Sequence, residues 1–405
     1  MPTQSTATSE HDSVPTDKCI SNALPIALHR RTRILSLDIA RACAALAVFL
    51  FHYGIFPFGH LGVELFFLLS GFVLALPSRH RNALAFFRAR CVRLYPTYWV
   101  ALSLTLLTLL WSGEKLSLPT VAANVTMLTA FLGQPYVDGV YWSLTEEIIF
   151  YVLVGATGSY HPQRNPLVLA ILMALACCFH ATLVGSGVIA LAENGAISKA
   201  TMAVKFFPFF SGGIAAATLF RRFGKNEVFS MHIIAVAFLL CVLAPFLTIF
   251  YDYSLHLPDF LSPYKGAAVG GVFGIFYLLI VGASCEHRCA GNCIGVPAMV
   301  VPGISLLRAV AFFGASTYPF YLLHERFTKT VSACIGFRIC GSWGLLMLFC
   351  AVAALSMLIH IGIEKRISTR FRRMQVSDTF GRCLFQEPGA ATAADGSIEA
   401  CTRSP

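Results

Sequence analysis

Leu37-Asp38-Ile39-Ala40-Arg41, then ten residues rich in Ala, Leu and Phe, then His52: this stretch decides how the whole chain is read. Asp38, Arg41 and His52 are its only ionisable groups apart from Cys43. If it is helical, Arg41 and His52 lie about three turns apart, so both share one face, separated by ~16 Å along the axis. Such groups are costly in hydrocarbon. They normally face a protein interior or a wet cavity and mark a pathway or a reaction centre. The plainer alternative is a positive flank at one membrane edge and a satisfied core histidine.

The surroundings of that stretch are apolar throughout. Of 405 residues, 57% are hydrophobic and 12% charged, and the charged share is about half that of a soluble domain. Runs long enough to cross a bilayer recur from end to end. The expected fold class is therefore all-α, a polytopic integral membrane helix bundle of about ten transmembrane helices. The spans fall at 37–58, 61–77, 94–111, 142–158, 166–190, 204–220, 231–251, 266–283, 307–327 and 342–363. The second and fourth are short, and each contains a carboxylate. Gly266, Gly270 and Gly274 in the eighth read as a helix-packing stripe.

Lys and Arg set the orientation. With the N-terminus inside, all of the 30 basic residues fall on the cytoplasmic side except Lys115, Lys199, Lys205, Lys265, Arg326, Lys329 and Arg338. Both termini are then cytoplasmic. Residues 1–30 read as a disordered tail without a signal-peptide core, 31–370 as the membrane domain, and 371–405 as a second tail. The net charge of +10 belongs to loops beside a lipid bilayer. No basic groove interleaved with aromatics is visible, so nucleic acid is not an expected partner. The 14 cysteines include several on apolar helices, where they act as small hydrophobes. Cys285, Cys289 and Cys293 have loose metal-site spacing but no matching half-site, and no metal is expected. The long outward loop 112–141 holds a moderately apolar stretch, 121–132, that reads as a re-entrant or interfacial helix over the site.

Four further stretches carry candidate chemistry. In Gly62-Val63-Glu64 through Phe72, Glu64 is either an interfacial acid or a group that orients a substrate or an arginine. In Arg88-Ala89-Arg90-Cys91-Val92-Arg93-Leu94-Tyr95-Pro96, Arg90 and Arg93 share one helix face. A planar guanidinium fork suits phosphate; lipid headgroups are the other reading. In Tyr141-Trp142-Ser143-Leu144-Thr145-Glu146-Glu147, the two acids point about 100° apart, so one can enter the bundle. In Gly314-Ala315-Ser316-Thr317-Tyr318-Pro319-Phe320-Tyr321-Leu322-Leu323-His324-Glu325, Pro319 should kink a helix, and His324 is a second outer-side histidine.

Taken together in order, these stretches resemble the acyltransferase 3 family of membrane-integral O-acyltransferases over residues 30 to 370. Its opening motif matches Leu37, Asp38, Arg41 and His52; its second-helix motif matches Gly62–Phe72, with Glu64 where Asp is common. Arg90, Arg93 and Pro96 match its cytoplasmic arginines. Trp142, Ser143, Leu144, Glu147, Phe150 and Tyr151 match its Trp-Ser-Leu motif, and Gly314, Tyr318, Tyr321 and His324 its late motif. Glu364 stands at its terminal Glu. Thr317 and Ala89 depart from its Ser and Arg, and the Pro usual behind Glu364 is absent. The chain resembles a stand-alone membrane-domain member.

The resemblance implies transfer of an acyl group, usually acetyl, from acyl-CoA as donor substrate to a hydroxyl of a glycan or glycosylated acceptor, with no bound cofactor. Arg41, Arg90 and Arg93 would meet the donor phosphates. His52 would act as general base, with Glu147 orienting its ring. Direct transfer and a transient acyl-histidine both fit. Asp38, Glu64, Trp142, Ser143, Tyr318 and His324 are further site candidates. The bacterial inner membrane is the expected location. The competing class is a transporter or flippase for a glycan or lipid-linked sugar, which would use the same buried charges as a permeation path.

Overall fold

The computed structural model describes residues 35–76, 82–159, 161, 166–185, 203–222, 270–271, 274, 276, 302–337, 341–371 and 373–374. Every regular element among them is helical. Among the described residues three helices are long and apolar enough to cross a membrane, Pro57–Ala75, Ala83–Trp111 and Gly341–Phe371, and Leu167–His180 and Ala203–Thr218 are shorter apolar helices. Residues 1–30, the expected span at 231–251, most of that at 266–283, the 285–293 loop and residues 378–405 lie outside the described set.

Helix α1 (Leu35–His52) runs uninterrupted until glycine stops it. Gly54 takes φ +73°, and the Gly54 and Ile55 amides donate to the Phe51 and Leu50 carbonyls at 2.9 Å. This is a glycine cap in the left-handed region. A 3-10 turn that starts at Pro57 (Pro57–His60) hands the chain to α2 (Leu61–Ala75). Helix α2 meets α7 (Phe207–Arg222) backbone to backbone. A Cβ on Gly71 would stand 2.1 Å from the Phe210 carbonyl oxygen, and one on Gly213 2.0 Å from that of Leu68. Small residues permit this approach where no hydrophobic drive separates lipid from helix. Between them in sequence come α5 (Trp142–Thr157) and α6 (Leu167–Gly185). The Phe150 ring of α5 stacks on Phe210 at 4.1 Å.

Helix α3 (Ala83–Trp111) corrects the expected third span, which started at residue 94. Its 29 residues span roughly 43 Å, more than a hydrocarbon core. The Asn82 side chain accepts the Ala85 amide at 2.8 Å and starts the helix there. The basic run is thus part of the spanning helix, and Pro96 sits inside it without ending it.

The outer loop doubles back. Helix α4 (Leu118–Val125) and the next residue return along α3. Tyr98 Oη donates to the Asn124 carbonyl at 2.6 Å, Trp99 Nε1 to Val125 at 3.0 Å and Tyr95 Oη to Thr126 at 2.9 Å. Tyr98 lies thirteen residues before Trp111, roughly 20 Å down the helix. The buried Asn124 side chain ties the loop to itself, donating to Thr120 and Pro135 carbonyls and accepting the Val137 amide.

The expected single span at 307–327 is instead broken twice, into α8 (Pro302–Ala315), α9 (Thr317–Leu323) and α10 (Arg326–Cys334). The first break is at Ser316, whose φ/ψ of −96°/9° is not helical. Pro319 therefore falls in the first turn of α9, where a missing N–H costs nothing, rather than kinking a helix interior. The second break, at His324 and Glu325, aims both side chains at the end of α1. Helix α11 (Gly341–Ile359) runs into a π turn, His360–Glu364.

Candidate active site

Two polar clusters form, one at the His52 end of α1 and one deeper. In the first, His52 Nδ1 lies 3.3 Å from Glu325 Oε1. Lys329 Nζ reaches the same oxygen at 3.3 Å. The rings of His52 and His324 meet edge to face with centroids 5.0 Å apart. His324 is buried, and its Nδ1 lies 2.7 Å from the Tyr321 carbonyl oxygen. A carbonyl only accepts, so Nδ1 carries the proton and Nε2 the lone pair. The Tyr321 hydroxyl is held by Ser143 Oγ at 2.8 Å and the Val140 carbonyl at 3.2 Å. Ser143 thus serves as an anchor for α9. Glu64 is buried within electrostatic range of Tyr321, and its Oε2 has no hydrogen-bond partner among the described residues.

The loop before α5 closes this cluster. Asp138 accepts the Val140 amide at 3.2 Å and the Arg326 amide at 3.0 Å. Burial pushes the Asp138 carboxyl up to about 7, and the nearby Glu325 charge adds to the effect. Arg326 also pairs with Glu114 across the outer loop.

The second cluster gathers around Glu147. Its Oε1 accepts from Ser70 at 3.2 Å and from the Tyr151 hydroxyl. The Arg90 guanidinium lies over the Phe86 and Tyr151 rings at 5.7 and 5.8 Å, a cation–π arrangement. Arg93 has Tyr151, Glu147, Glu364 and Tyr318 within electrostatic range. Its side chain is exposed. Tyr318 donates to the Leu94 carbonyl at 3.1 Å, tying α9 to α3. Arg41 pairs with Asp38 at 2.9 Å at the opposite end of α1 from His52.

The structure therefore does not bring Glu147 to His52, as the sequence reading expects. Glu147 lies a turn and a half into α5, and its partner Ser70 is nine residues into α2, roughly 14 Å from that helix's start. At this depth Glu147 meets arginines. The carboxylate beside His52 is Glu325, which sequence reasoning quoted without singling out. Its one local signal is Lys329, four residues on. Trp142 joins neither cluster: its ring packs against Phe67 at 6.3 Å and Phe206 at 5.0 Å. Glu146 is buried within range of Lys205.

Apolar helices of membrane length, with arginines gathered around Glu147 and an imidazole–carboxylate pair at the His52 end of α1, make a membrane-embedded helical protein with two polar clusters. The chain belongs to the acyltransferase 3 family: the family model, described as an acyltransferase domain, matches residues 34–364. It is accordingly an integral membrane acyltransferase. No curated protein and no solved structure matches the chain.

Proposed function

We propose that the protein moves an acetyl group from cytoplasmic acetyl-CoA to a hydroxyl of a glycan or glycosylated acceptor, in the bacterial inner membrane. The observation that carries this reading is the pairing of a deep arginine cluster, Arg90 and Arg93, with a half-buried imidazole at the far end of α1. A polyanionic donor needs the first and a weak hydroxyl nucleophile needs the second. In this reading Arg41, Arg90 and Arg93 bind the CoA phosphates, each fork taking two oxygens. Glu147 belongs to the donor end, where it balances Arg90 and Arg93 and fixes Tyr151. His52 is the general base. It takes the acceptor's hydroxyl proton as the oxygen bonds to the thioester carbon; the carbon–sulfur bond then breaks, and the CoA thiolate recovers a proton.

The test is thiol release. Purified full-length protein in detergent receives acetyl-CoA with and without candidate glycans. Acceptor-dependent thiol release with an acetylated product supports the reading. Glycan movement across vesicles with no thiol release would move the protein to the transporter class.

A further inference from the structure

We propose that Glu325 is the positioning residue of His52. The inference rests on the reading of His52 as the base. It adds a residue that neither the sequence motifs nor the family match assigns.

Geometry selects Glu325. Its Oε1 lies 3.3 Å from His52 Nδ1. A carboxylate accepts, so Nδ1 is the protonated nitrogen and Nε2 keeps the lone pair that a base requires. The carboxylate is itself held. Lys329 Nζ stands 3.3 Å from the same oxygen. On the other side Oε2 lies over Gly139, where an added Cβ would be 3.2 Å away. Any side chain at 139 would crowd the carboxylate. The bend that carries Glu325 is pinned by the Arg326 amide, which donates to buried Asp138 at 3.0 Å. Glu325 thus has a fixed backbone, a cationic neighbour and a cut-away wall, and it meets His52. Glu147 does not take this role, because it lies deeper in the bundle, where it accepts from Ser70 and Tyr151.

A carboxylate so placed does two things in the reaction. It keeps the ring from turning, so Nε2 faces the acceptor hydroxyl. It also stabilises the imidazolium that forms when Nε2 takes the proton, as the third member does in a serine-protease triad. The proton stays on the imidazole until the thiolate leaves, and Glu325 is never protonated. The pair is partly exposed, with side-chain accessibilities of 21% and 22%. Such a pair adds little to stability, so removing the carboxylate spares the fold and exposes the kinetic role.

The experiment has one arm that does not depend on acyl transfer. Full-length protein in detergent is treated with diethyl pyrocarbonate at a pH high enough for neutral imidazole in every variant. Modification of His52 is followed by mass spectrometry of its peptide. Glu325→Gln should slow His52 modification several-fold, and Glu325→Asp, one methylene shorter, should fall between. Glu147→Gln should leave the rate unchanged. In the second arm, Glu325→Gln should lower kcat for thiol release between the about 10²-fold of a modest general-base effect and the about 10⁴-fold cost of a misoriented triad imidazole. The KM for acetyl-CoA should stay within about two-fold, and Glu325→Asp should restore part of kcat. An unchanged His52 modification rate in folded Glu325→Gln protein, with helix content retained, would overturn the proposal. A wild-type protein that releases no thiol with any acceptor would sink the functional reading instead, and the modification arm would still decide the pairing.

Discussion

Gly314 touches the backbone of Asp38: a Cβ at position 314 would stand 1.9 Å from the Asp38 carbonyl oxygen and 2.6 Å from its carbon. Helices α8 and α1 are in direct backbone contact at the turn that carries Asp38 and Arg41. Gly314→Ala must push the two apart, since a carbonyl cannot rotate out of a helix as a side chain can. Overpacking of this kind costs about 1–3 kcal/mol, read as a lower Tm in detergent. Because Arg41 rides on the same turn, apparent affinity for acetyl-CoA should weaken with it. A Gly314→Ala protein with wild-type Tm would show that the contact is slack.

Arg90 and Arg93 are expected to act on the donor alone. Arg90→Ala and Arg93→Ala should raise the KM for acetyl-CoA while leaving the acceptor KM nearly unchanged. Arg93→Lys should not rescue, because an ammonium is a point charge and cannot fork onto two phosphate oxygens. An unaltered donor KM in folded protein would reduce both arginines to structural charges.

Separate clusters should give separate energetics. His52→Ala should lower turnover by ~10²–10⁴-fold. Adding Glu325→Gln should cost little more, since residues acting as one unit are not additive. Adding Glu147→Gln should instead multiply the losses, because Glu147 and His52 share no hydrogen-bond or ion-pair partner among the described residues and distant sites add in free energy. A double mutant of His52 and Glu147 no worse than His52→Ala would join the two clusters after all.

Asp138 should give stability a pH dependence of definite sign. Its carboxyl is raised to about 7 in the folded protein, against about 4 in an unfolded chain. Between these values the folded state binds more protons than the unfolded one, so this group's stabilising contribution is full below pH ~4 and is lost as pH rises through ~7. Asp138→Asn cannot titrate. Wild-type Tm relative to Asp138→Asn should therefore fall from pH 5 to pH 8. A relative Tm that stays flat over that range would mean the carboxyl is ionised throughout.

Several helices of the described scaffold are legible because hydrocarbon imposes a simple rule on sequence. The expected span at 142–158 matches α5 to within a residue, and that at 61–77 matches α2 to within two. Each is bounded by Gly, Pro or a loop. The third span reads short in sequence because a basic run and Pro96 both look like an end, whereas Asn82 caps the helix a full three turns earlier. The two breaks in 307–327 are hidden because Ser316 and Glu325 are not strong breakers; the second is held by the Arg326 amide on Asp138. The site was half legible. Arg41 and His52 declare themselves through one helical period. Which acid meets His52 is a contact between the first helix and the tenth, and no local pattern encodes it. Glu147 was the obvious carboxylate, and only its depth along α5 removes it.

The π turn at His360–Glu364 gives the last helix two phases. A π turn holds one residue more than the α-helix it interrupts, so the chain after it is rotated against the chain before. Within the turn His360 Nδ1 meets Glu364 Oε2 at 2.9 Å, and Glu364 looks toward Arg93. Deleting one residue there would restore a single phase and swing everything beyond it by about 100°, carrying the Glu364 carboxylate off the arginine side. This segment is thus specified by its length as much as by its letters: a lost residue would undo what a changed residue would only weaken.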